Sequence, residues 1–516
     1  MPAGKKQEKI VLSTIDLGAH SARMLIAEVN CRTREVTELE ELEVSIPIGS
    51  NVFQRGRIHN DTMRMLCGIF ANFRKKMKEY GVTHYRAIGT SAVREASNSE
   101  ILIERIRHAT GIELRIFEGT DEARLDYLTV MNDVPARYGF RTKSTLIADI
   151  GTGACQVSSY ESGRLCFTET IKVGTLRVLE LMPHTVSSSA ILQYLTPVID
   201  KSFSELEHIA SSLQSEYIIA MGSSVRMLMS IFSGNTEGKR KKKPAPLPVS
   251  KDAFEEMRSV ITSLSIEEIC DEYDIAQDLG EAVIPCFIII DNLFKITGAR
   301  MLLVPMTSMK HGLLQDYMNE LILGEDYFEK QIYEMVRMTA FKYRCFNEYT
   351  KRVVDFAEKL FDKLQTLHGL GHRELILLKI AACLHKSGLF VNNQGYHKHS
   401  YYIISNTEIP GISLRERRIT ALLARYHRKA LPRSQHPEYM ALSETDRSIV
   451  NRLAPILRLA CALALQSGDA SGLQIRIGTD RVVIAARGMR AAHVGAVPEI
   501  DLEYFNYAYA LQIVLE

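Results

Sequence analysis

Two short segments of the chain combine carboxylates, glycines and small polar residues at a spacing that suits phosphate chemistry. The first, residues 11–29, contains Asp16-Leu17-Gly18, and the second, residues 145–160, contains Asp149-Ile150-Gly151. In each, an apolar strand-like run ends in Asp-apolar-Gly and is followed by a turn and a second strand-like run. Glycine in the turn permits φ > 0 and lets backbone N–H groups approach an anion. We call these segments the first and second hairpins.

One such hairpin alone is more often an ordinary turn. Two copies in successive halves that alternate strands and helices predict a duplicated α/β fold. Facing each other across a cleft, the hairpins would clamp a phosphate and offer carboxylates to a metal ion or a water. This internal duplication resembles the actin-like superfamily of acetate and sugar kinases, Hsc70 and actin.

The composition bounds the class of protein and its partners. A chain of 516 residues is too long for one core, so about three or four domains are expected. Lys and Arg number 63 against 61 Asp and Glu, so the overall charge does not favour nucleic acid or an anionic membrane as a partner. Any anion binding must therefore be local.

Cysteines and apolar runs indicate the cellular setting. The nine cysteines are scattered and form no Cys-x-x-Cys pair, which favours a reduced cytoplasm over a disulfide framework or a structural zinc site. Residues 1–9 are polar and basic, unlike a signal peptide. No window approaches the ~20 apolar residues of a membrane span. The strongest run, 282–294, is interrupted by Pro285 and Asp291, so we expect it to be buried.

Changes in composition and in the pattern of helices and strands along the sequence predict four regions. Residues 1–131 form a first lobe, with a helix near 310–325 as a candidate to complete it. Residues 132–309 repeat the pattern as a second lobe. Residues 325–435, with few glycines and a concentration of histidines, form a helical domain, and residues 436–516 form a small α+β domain.

Five motifs narrow the resemblance by their order along the chain. They are Ile15–Gly18, Gly89–Ala96, Asp121–Leu125, Asp149–Gly151 and Gly222–Ser224. With these motifs the chain resembles the Ppx/GppA family of exopolyphosphatases and guanosine pentaphosphate phosphohydrolases. Segments around His385, His397 and His427 resemble the long members of that family. The resemblance covers nearly the whole chain and implies duplicated actin-like (ribonuclease H-like) lobes, followed by an HD-like helical domain.

The resemblance implies roles for four residues. Glu122, in the first turn of a predicted helix, matches the general base that activates the attacking water. Arg94 matches an arginine that contacts the substrate, and its planar donors suit phosphate oxygens. Asp149 matches a carboxylate near a divalent metal, expected to be Mg²⁺, and Asp16 occupies the equivalent point of the first hairpin. The plain alternatives are an acidic first helical turn, a surface arginine and carboxylates that cap their own turns.

Small and polar residues of the turns are expected to cradle the phosphates. They are Gly18, His20, Ser21, Gly151, Thr152, Gly153, Ala154, Gly222, Ser223 and Ser224.

The second hairpin departs from the family pattern Asp-Ile-Gly-Gly-Gly-Ser-Thr-Glu. Thr152 adds a Cβ where the backbone should approach phosphate, and Ala154 lacks a hydroxyl donor. Gln156 replaces a carboxylate that helps to hold the metal. In the first hairpin His20 stands in place of a polar donor and can still donate to phosphate, more strongly when protonated. These changes predict weakened metal affinity and turnover, with the base retained.

The helical domain resembles the HD-type phosphohydrolase scaffold, but His385 is followed by Lys386, which cannot replace a metal-ligating aspartate. We therefore expect this domain to be non-catalytic. A basic surface for a polyanion is predicted there, with solvated charges and core histidines as the alternative; its residues are His397, Lys398, His399, Arg425, His427, Arg428 and Lys429. The run Lys239–Lys243 is expected to be a solvated loop.

The sequence thus predicts a Mg²⁺-dependent hydrolase of the terminal phosphoanhydride of inorganic polyphosphate, guanosine pentaphosphate or both. The altered second hairpin motivates an alternative, a regulatory protein that binds polyphosphate or guanosine tetra- and pentaphosphate with weakened catalysis. A sugar or acetate kinase is a weaker interpretation, because no acceptor-sugar site is evident. A cytoplasmic homodimer in the stringent response, without nucleic-acid or membrane partners, is expected.

Overall fold

The computed structural model describes residues 9–140, 142–162, 164–181, 188–210, 215–233, 247–263, 265–273, 277–305, 307–323, 329–407, 409, 411–466, 470–486 and 499–515. The chain divides into two compact units, Met1–Phe328 and Glu329–Glu516. The boundaries expected at 131, 309 and 435 within these units stay predictions. The run Lys239–Lys243 lies outside the described residues.

The first half of the first unit begins with strands and continues with alternating helices and strands. Its elements are β1 (Lys9–Leu17), β2 (Ser21–Asn30), β3 (Val36–Ser45), α1 (Ile48–Arg55), α2 (Asn60–Glu79), β4 (His84–Gly89), α3 (Ser91–Glu95), α4 (Ser99–Thr110), β5 (Leu114–Ile116) and α5 (Gly119–Asp133).

The second half repeats this order and adds helices. Its elements are β6 (Ser144–Ile150), β7 (Cys155–Glu161), β8 (Arg164–Ile171), α6 (Thr175–Leu179), α7 (Ser188–Ala210), β9 (Tyr217–Met221), α8 (Ser223–Ser233), β10 (Leu247–Ser250), α9 (Lys251–Ser263), α10 (Ile266–Tyr273), α11 (Gln277–Thr297), β11 (Met301–Val304) and α12 (Met309–Leu323).

The two sheets of the first unit share one topology over five strands, and the second sheet adds β10, which pairs antiparallel with β11 at its edge. The first has the order β3-β2-β1-β4-β5, and the second has β8-β7-β6-β9-β11-β10. In each sheet three antiparallel strands are followed by strands that run parallel to the first strand of the hairpin, namely β4 beside β1 and β9 beside β6. Carboxyl ends of parallel strands lie at one edge of a sheet, so both halves present their turns at equivalent edges.

Periodic apolar residues explain why helices cover these sheets. In α2, Met63, Leu66, Phe70 and Phe73 recur at helical spacing and are buried in the core of the first sheet. In α11, residues 282–290 and 292–294 are buried, and this confirms the expectation for run 282–294. Full burial of each such side chain is favourable by about 1.5–3 kcal/mol.

Helix α12 returns the chain to the first sheet. Its residues Leu314 and Met318 form one buried cluster with residues of β1 and β2. Arg124 on α5 donates from both terminal nitrogens to Asp316 on α12, at 2.6 and 2.5 Å, and Arg86 on β4 donates to the same carboxylate at 2.9 Å. The motif arginine Arg124 therefore anchors α12, through a bidentate pair of the strong kind.

The second unit is helical with one small sheet. Its elements are α13 (Glu329–Lys342), α14 (Glu348–Lys363), α15 (Gln365–His368), α16 (His372–Leu384), α17 (Tyr396–Ser405), α18 (Leu414–Tyr426), α19 (Pro437–Met440), α20 (Glu444–Gln466), β12 (Leu473–Ile477), β13 (Arg481–Ala486), α21 (Glu499–Tyr509) and β14 (Gln512–Leu515). Strand β13 pairs antiparallel with β12 and parallel with β14.

Helix α20 differs from expectation in its hydropathy. Among the residues that the structure describes, its segment Glu444–Leu465 alone has the length and composition of a membrane span, with a mean hydropathy of 1.5. The expectation that no window has this character is therefore wrong. Because 72% of the apolar window is buried inside the protein, the segment matches a core helix.

The prediction of a basic surface in the second unit is wrong for two of its histidines. His397 and His427 are 6% and 5% exposed, and neighbouring His385 is fully buried. Burial lowers the pKa of His385 to about 4, and burial together with nearby cations lowers the pKa of His397 to about 4. These rings are therefore neutral at pH 7. Lys398 and Lys429 are exposed, as expected for solvated charges.

Candidate active site

The turns of the two hairpins face one cavity of about 520 Å³ in the first unit, a volume within the usual range of ligand sites. The turns close in the same way: Gly18 N–H donates to the Ser21 carbonyl at 2.9 Å, and Gly151 N–H donates to the Ala154 carbonyl at 3.0 Å. The sequence duplication is therefore a duplication of backbone geometry.

The structure brings together at this cavity the residues singled out from the sequence, apart from Arg94. Those at the cavity wall are Asp16, Gly18, His20, Ser21, Glu122, Asp149, Gly151, Thr152, Gly153, Ala154, Gln156, Gly222, Ser223 and Ser224. Arg94 instead donates to the Glu122 carboxylate at 2.6 Å and to the Phe117 carbonyl. The role of each residue stays a prediction.

At two positions of the second half only glycine fits, because neighbouring atoms lie where a Cβ would be. Gly222 has φ of 127°, and a Cβ there would collide with the Ile150 carbonyl oxygen. A Cβ on Gly153 would press on the Phe53 ring and lie 2.9 Å from Ser91 Oγ. The second turn therefore packs directly against the first lobe, and a larger residue at either glycine would distort the cavity wall.

The start of α5 places Glu122 at the cavity. Glu118 is the N-cap residue, and its backbone N–H donates to the Asp121 carboxylate at 3.2 Å, as in a capping box. Asp121 thus caps the helix, and the adjacent Glu122 faces the cavity. Burial raises the pKa of Glu122 to about 7, although the Arg94 guanidinium opposes this shift. A carboxylate that titrates near neutrality suits a general base.

Three further carboxyl groups lie near Glu122. Burial raises the pKa of Asp16 to about 6, against the opposing charge of Arg23, and no described residue makes a hydrogen bond to the buried Asp16 Oδ1. Burial also raises the pKa of Asp149 and of Asp126, which is 1% exposed and lies one turn after Glu122 on α5. Because the charges of Asp149 and Glu122 add to the shift of Asp126, a cation would relieve repulsion here.

The donor set fits a divalent cation that shares its shell with phosphate. Among the described residues, no group of three or more His, Cys, Asp or Glu is arranged to hold a metal ion alone. Mg²⁺ commonly uses one or two carboxylates and completes its shell with water and substrate phosphates. The unpartnered Asp16 oxygen and Asp149 at the same cavity meet that requirement.

Gln156 is bound to the neighbouring strand. Its amide nitrogen donates to Thr168 Oγ1 at 2.5 Å, and its carbonyl oxygen accepts from the Thr170 hydroxyl. The side chain is 4% exposed and reaches the cavity wall. The oxygen that stands where the family has a carboxylate is therefore neutral and already hydrogen-bonded to β8.

Several cavity residues were missed by the sequence reasoning. They are Arg23, Glu41, Glu43, Thr90, Ser91, Arg226, Ser308 and Lys310. A signal for Arg226 existed, because it follows Gly222-Ser-Ser-Val much as Arg94 follows Gly89-Thr-Ser-Ala-Val. Arg23 also had one, since it pairs with Asp16 across the first hairpin. No signal in the sequence indicated Lys310, because it reaches the cavity only through the packing of α12 on the first sheet.

Comparison with known proteins decides the family. The model of the Ppx/GppA phosphatase family matches residues 26–318, which is more than half of the chain. The chain belongs to the Ppx/GppA phosphatase family. A second model, Ppx/GppA phosphatase domain III, matches residues 334–480 of this Ppx/GppA chain.

Curated relatives carry two names within the Ppx/GppA family. The guanosine-5'-triphosphate,3'-diphosphate pyrophosphatase of Pseudoalteromonas translucida is 21% identical over 469 residues, which cover 90% of this chain and 89% of that protein. Exopolyphosphatase 1 of Mycobacterium bovis is 30% identical over 148 residues, which cover 29% of this chain and 42% of that protein.

Solved structures share the fold of the first unit, which contains the region that the family model matches. The exopolyphosphatase from Cytophaga hutchinsonii aligns with a TM-score of 0.54 and 20% identity, covering 60% of this chain and 98% of that one. The Ppx/GppA family member from Aquifex aeolicus aligns with a TM-score of 0.52 and 17% identity, covering 61% and 99%. The predicted fold of duplicated actin-like lobes is thereby confirmed.

Proposed function

We propose that this Ppx/GppA protein hydrolyses the terminal phosphoanhydride of inorganic polyphosphate, of guanosine pentaphosphate, or of both. The observation that carries the proposal is Glu122, a carboxylate that is 13% exposed and has a pKa raised to about 7, at the wall of a cavity formed by two matching hairpin turns. The names of the relatives, a pyrophosphatase of a guanosine polyphosphate and an exopolyphosphatase, support it. They do not favour the alternative of a regulatory binding protein.

In this proposal the turns and one helix hold the phosphates. Ser223 and Ser224 begin α8 and line the cavity, where the first N–H groups of the helix favour an anion. His20 and Ser21 offer donors from the first hairpin, and Gly151 to Gly153 bring the backbone of the second hairpin to the same space. These groups would orient the terminal phosphoryl toward Glu122.

Glu122 would accept the proton of the attacking water as the new P–O bond forms and the phosphoanhydride bond breaks. Its pKa of about 7 gives a substantial ionised fraction at neutral pH. The hydrogen bond from Arg94 keeps the carboxylate in place. Asp16 and Asp149 would hold Mg²⁺, which when bound neutralises charge that develops on the phosphate oxygens.

Phosphate release from both substrates, with Mg²⁺, tests the proposal in the wild type and Glu122→Gln. We expect release by the wild type and a loss of roughly 100-fold or more in kcat for Glu122→Gln, with substrate affinity retained. Tight binding of either substrate without release by the wild type would instead support the regulatory alternative. Equal rates in the two proteins would contradict the role of Glu122.

We also propose a cytoplasmic homodimer in the stringent response that acts on these phosphate compounds and has no nucleic-acid or membrane partner. The free cysteines support the setting, and the balanced net charge of +2 gives no basis for nucleic-acid binding. Light scattering of the purified protein should give twice the mass of one chain. A mass of 58.2 kDa, that of a single chain, would contradict the dimer.

A further inference from the structure

An ion pair joins the two halves of the first unit beside the second hairpin. Arg177 on α6 donates from Nη2 to a carboxylate oxygen of Glu95 on α3 at 2.7 Å. The same guanidinium lies over the Phe53 ring of α1, 3.9 Å from the ring centre. The side chains of Arg177 and Glu95 are 16% and 27% exposed, so water and salt screen this pair less than a fully exposed one. One side chain of the second half therefore binds two helices of the first.

Helix α6, which carries Arg177, is hydrogen-bonded directly to the second turn. The backbone N–H of Arg177 donates to the Thr152 carbonyl at 3.1 Å. The N–H of Thr175 donates to the Gly151 carbonyl, also at 3.1 Å. Gly174 precedes α6 and permits this approach, since a Cβ there would lie 2.3 Å from the Thr152 carbonyl oxygen. The turn therefore moves with α6.

Helix α3, which carries Glu95, is also bound to the candidate base. Arg94, the residue before Glu95, donates to the Glu122 carboxylate at 2.6 Å. Ser91 at the start of α3 lies beside the second turn, with its Oγ 2.9 Å from the place of a Cβ on Gly153. One short helix thus contacts both Glu122 and the second turn, and consecutive residues of it bind α5 and α6. The distance between the base and the turn therefore depends on how α6 is held to α3.

We propose that Arg177 is a positioning residue for the reaction, and that its pair with Glu95 keeps the second turn at a fixed distance from Glu122. The inference rests on the proposed function, in which that turn binds the terminal phosphoryl group and Glu122 activates the attacking water. In-line attack needs the water and the phosphoryl group in register, and a displacement of about 1 Å can cost about 100-fold in rate. Arg177 is not among the described residues at the cavity wall, so it acts through the backbone of the turn.

The first test compares Arg177→Met with the wild type on guanosine pentaphosphate and long-chain polyphosphate. The matched control is Lys143→Met, because Lys143 makes the same two kinds of contact inside the second half. It pairs with Glu216 at 2.6 Å, and its Nζ lies 5.0 Å from the centre of the Tyr217 ring. We expect kcat to fall roughly 10-fold in Arg177→Met and to stay at the wild-type value in Lys143→Met. Equal kcat values in Arg177→Met and Lys143→Met would overturn the inference.

Variants of the partner separate the pair from a general loss of stability. Glu95→Gln should lower kcat as Arg177→Met does, and Arg177→Met/Glu95→Gln should lose no more than Arg177→Met alone, because both changes remove one interaction. Arg177→Lys keeps the charge and should retain more of the wild-type kcat than Arg177→Met. The pH midpoint of kcat/KM, expected near the Glu122 pKa of about 7, should not move in Arg177→Met, since Arg94 still binds Glu122. Losses that add in the double variant would contradict a role through the pair.

Amide hydrogen exchange of the substrate-free proteins, measured by mass spectrometry, tests the hold on the second turn without turnover. Residues 150–154 and 174–178 should exchange faster in Arg177→Met than in the wild type or Lys143→Met, whereas residues 11–29 should not change. Unchanged exchange in residues 150–154 of Arg177→Met would overturn the inference. A wild type that releases no phosphate refutes the proposed function alone, because the exchange comparison still decides whether Arg177 holds the turn.

Discussion

The two hairpins share a backbone and differ in charge. Asp16 lies opposite Arg23 in the first, and Asp149 lies opposite Gln156 at the equivalent point of the second. Arg23 counters the shift of the Asp16 pKa, whereas Gln156 is hydrogen-bonded to threonines of β8. The compensating charge for Asp149 comes mainly from Arg226 on α8. Duplicated turns can thus retain their geometry while each recruits its charges from a different element.

The largest expected difference concerns Gly89 and Gly222, the glycines at the carboxyl ends of the parallel strands β4 and β9. Gly222→Ala should lower the free energy of unfolding by about 3 kcal/mol, because φ of 127° and the Ile150 carbonyl both oppose a Cβ. In its counterpart Gly89→Ala the nearest atoms to the new Cβ are those of the Val93 side chain, from 3.2 Å, and the change should cost about 1 kcal/mol. Thermal unfolding of both variants measures the difference, and equal Tm shifts would contradict the asymmetry.

The next prediction makes the second hairpin resemble the family pattern. Gln156→Glu places a carboxylate beside Asp149, so the Mg²⁺ concentration for half-maximal activity should fall by roughly 10-fold. The same variant should be less stable than the wild type without Mg²⁺, since it adds a buried charge near Asp16, Asp149 and Asp126. Gln156→Asn, which adds no charge, is the control. An unchanged Mg²⁺ requirement would show that position 156 does not act on the metal.

Arg94 and Arg226 can be compared through the pH dependence of activity. Arg94 lowers the pKa of Glu122, and Arg226 lowers that of Asp149. In the wild type, kcat/KM should rise with pH as Glu122 ionises with a pKa of about 7. Arg94→Gln should move this rise upward by about one pH unit, because the ionised form loses its partner. Arg226→Gln should move it less, and an equal shift in both would contradict the assignment of the base.

The smallest expected effect concerns Asp126, which has no proposed part in the chemistry. Its pKa in the folded protein is raised above the ordinary value of 3.8 by burial, with Asp149 and Glu122 adding to the shift. The folded state therefore binds the proton more tightly than the unfolded chain, and stability falls as the pH rises above about 4. Asp126→Asn should raise Tm more at pH 8 than at pH 5. The same gain at both values would contradict the raised pKa of Asp126, because the folded and unfolded chains would then bind equal numbers of protons over this range.

The features predictable from sequence were local ones. The hairpins and the first turn of α5 are contiguous motifs, so Asp16, Asp149 and Glu122 could be named and placed at one cleft. Gly153 could be named, but its packing against Phe53 and Ser91 depends on how the lobes meet. Glu41 and Glu43 lie on an acidic strand that resembles a solvated surface, and only the fold brings Lys310 and Arg23 to them.

The histidines of the second unit also show that the sequence does not reveal which polar side chains become buried. His397 and His427 stand among Lys and Arg in the sequence, and this pattern predicted a charged surface. Burial instead makes His397 neutral at pH 7, because transferring a cation out of water is costly and the nearby cations Arg428 and Lys429 oppose a further positive charge. Local composition therefore indicated the charges that remain exposed, but not which side chains helix packing removes from solvent.

Hydrolysis of guanosine pentaphosphate in ¹⁸O-labelled water tests the central claim most directly. If Glu122 activates water for attack on the terminal phosphoryl group, mass spectrometry should find the label in the released orthophosphate. The nucleotide product should carry none, and Glu122→Gln should release roughly 100-fold less labelled phosphate. Label in the nucleotide product, or undiminished release by Glu122→Gln, would contradict the account.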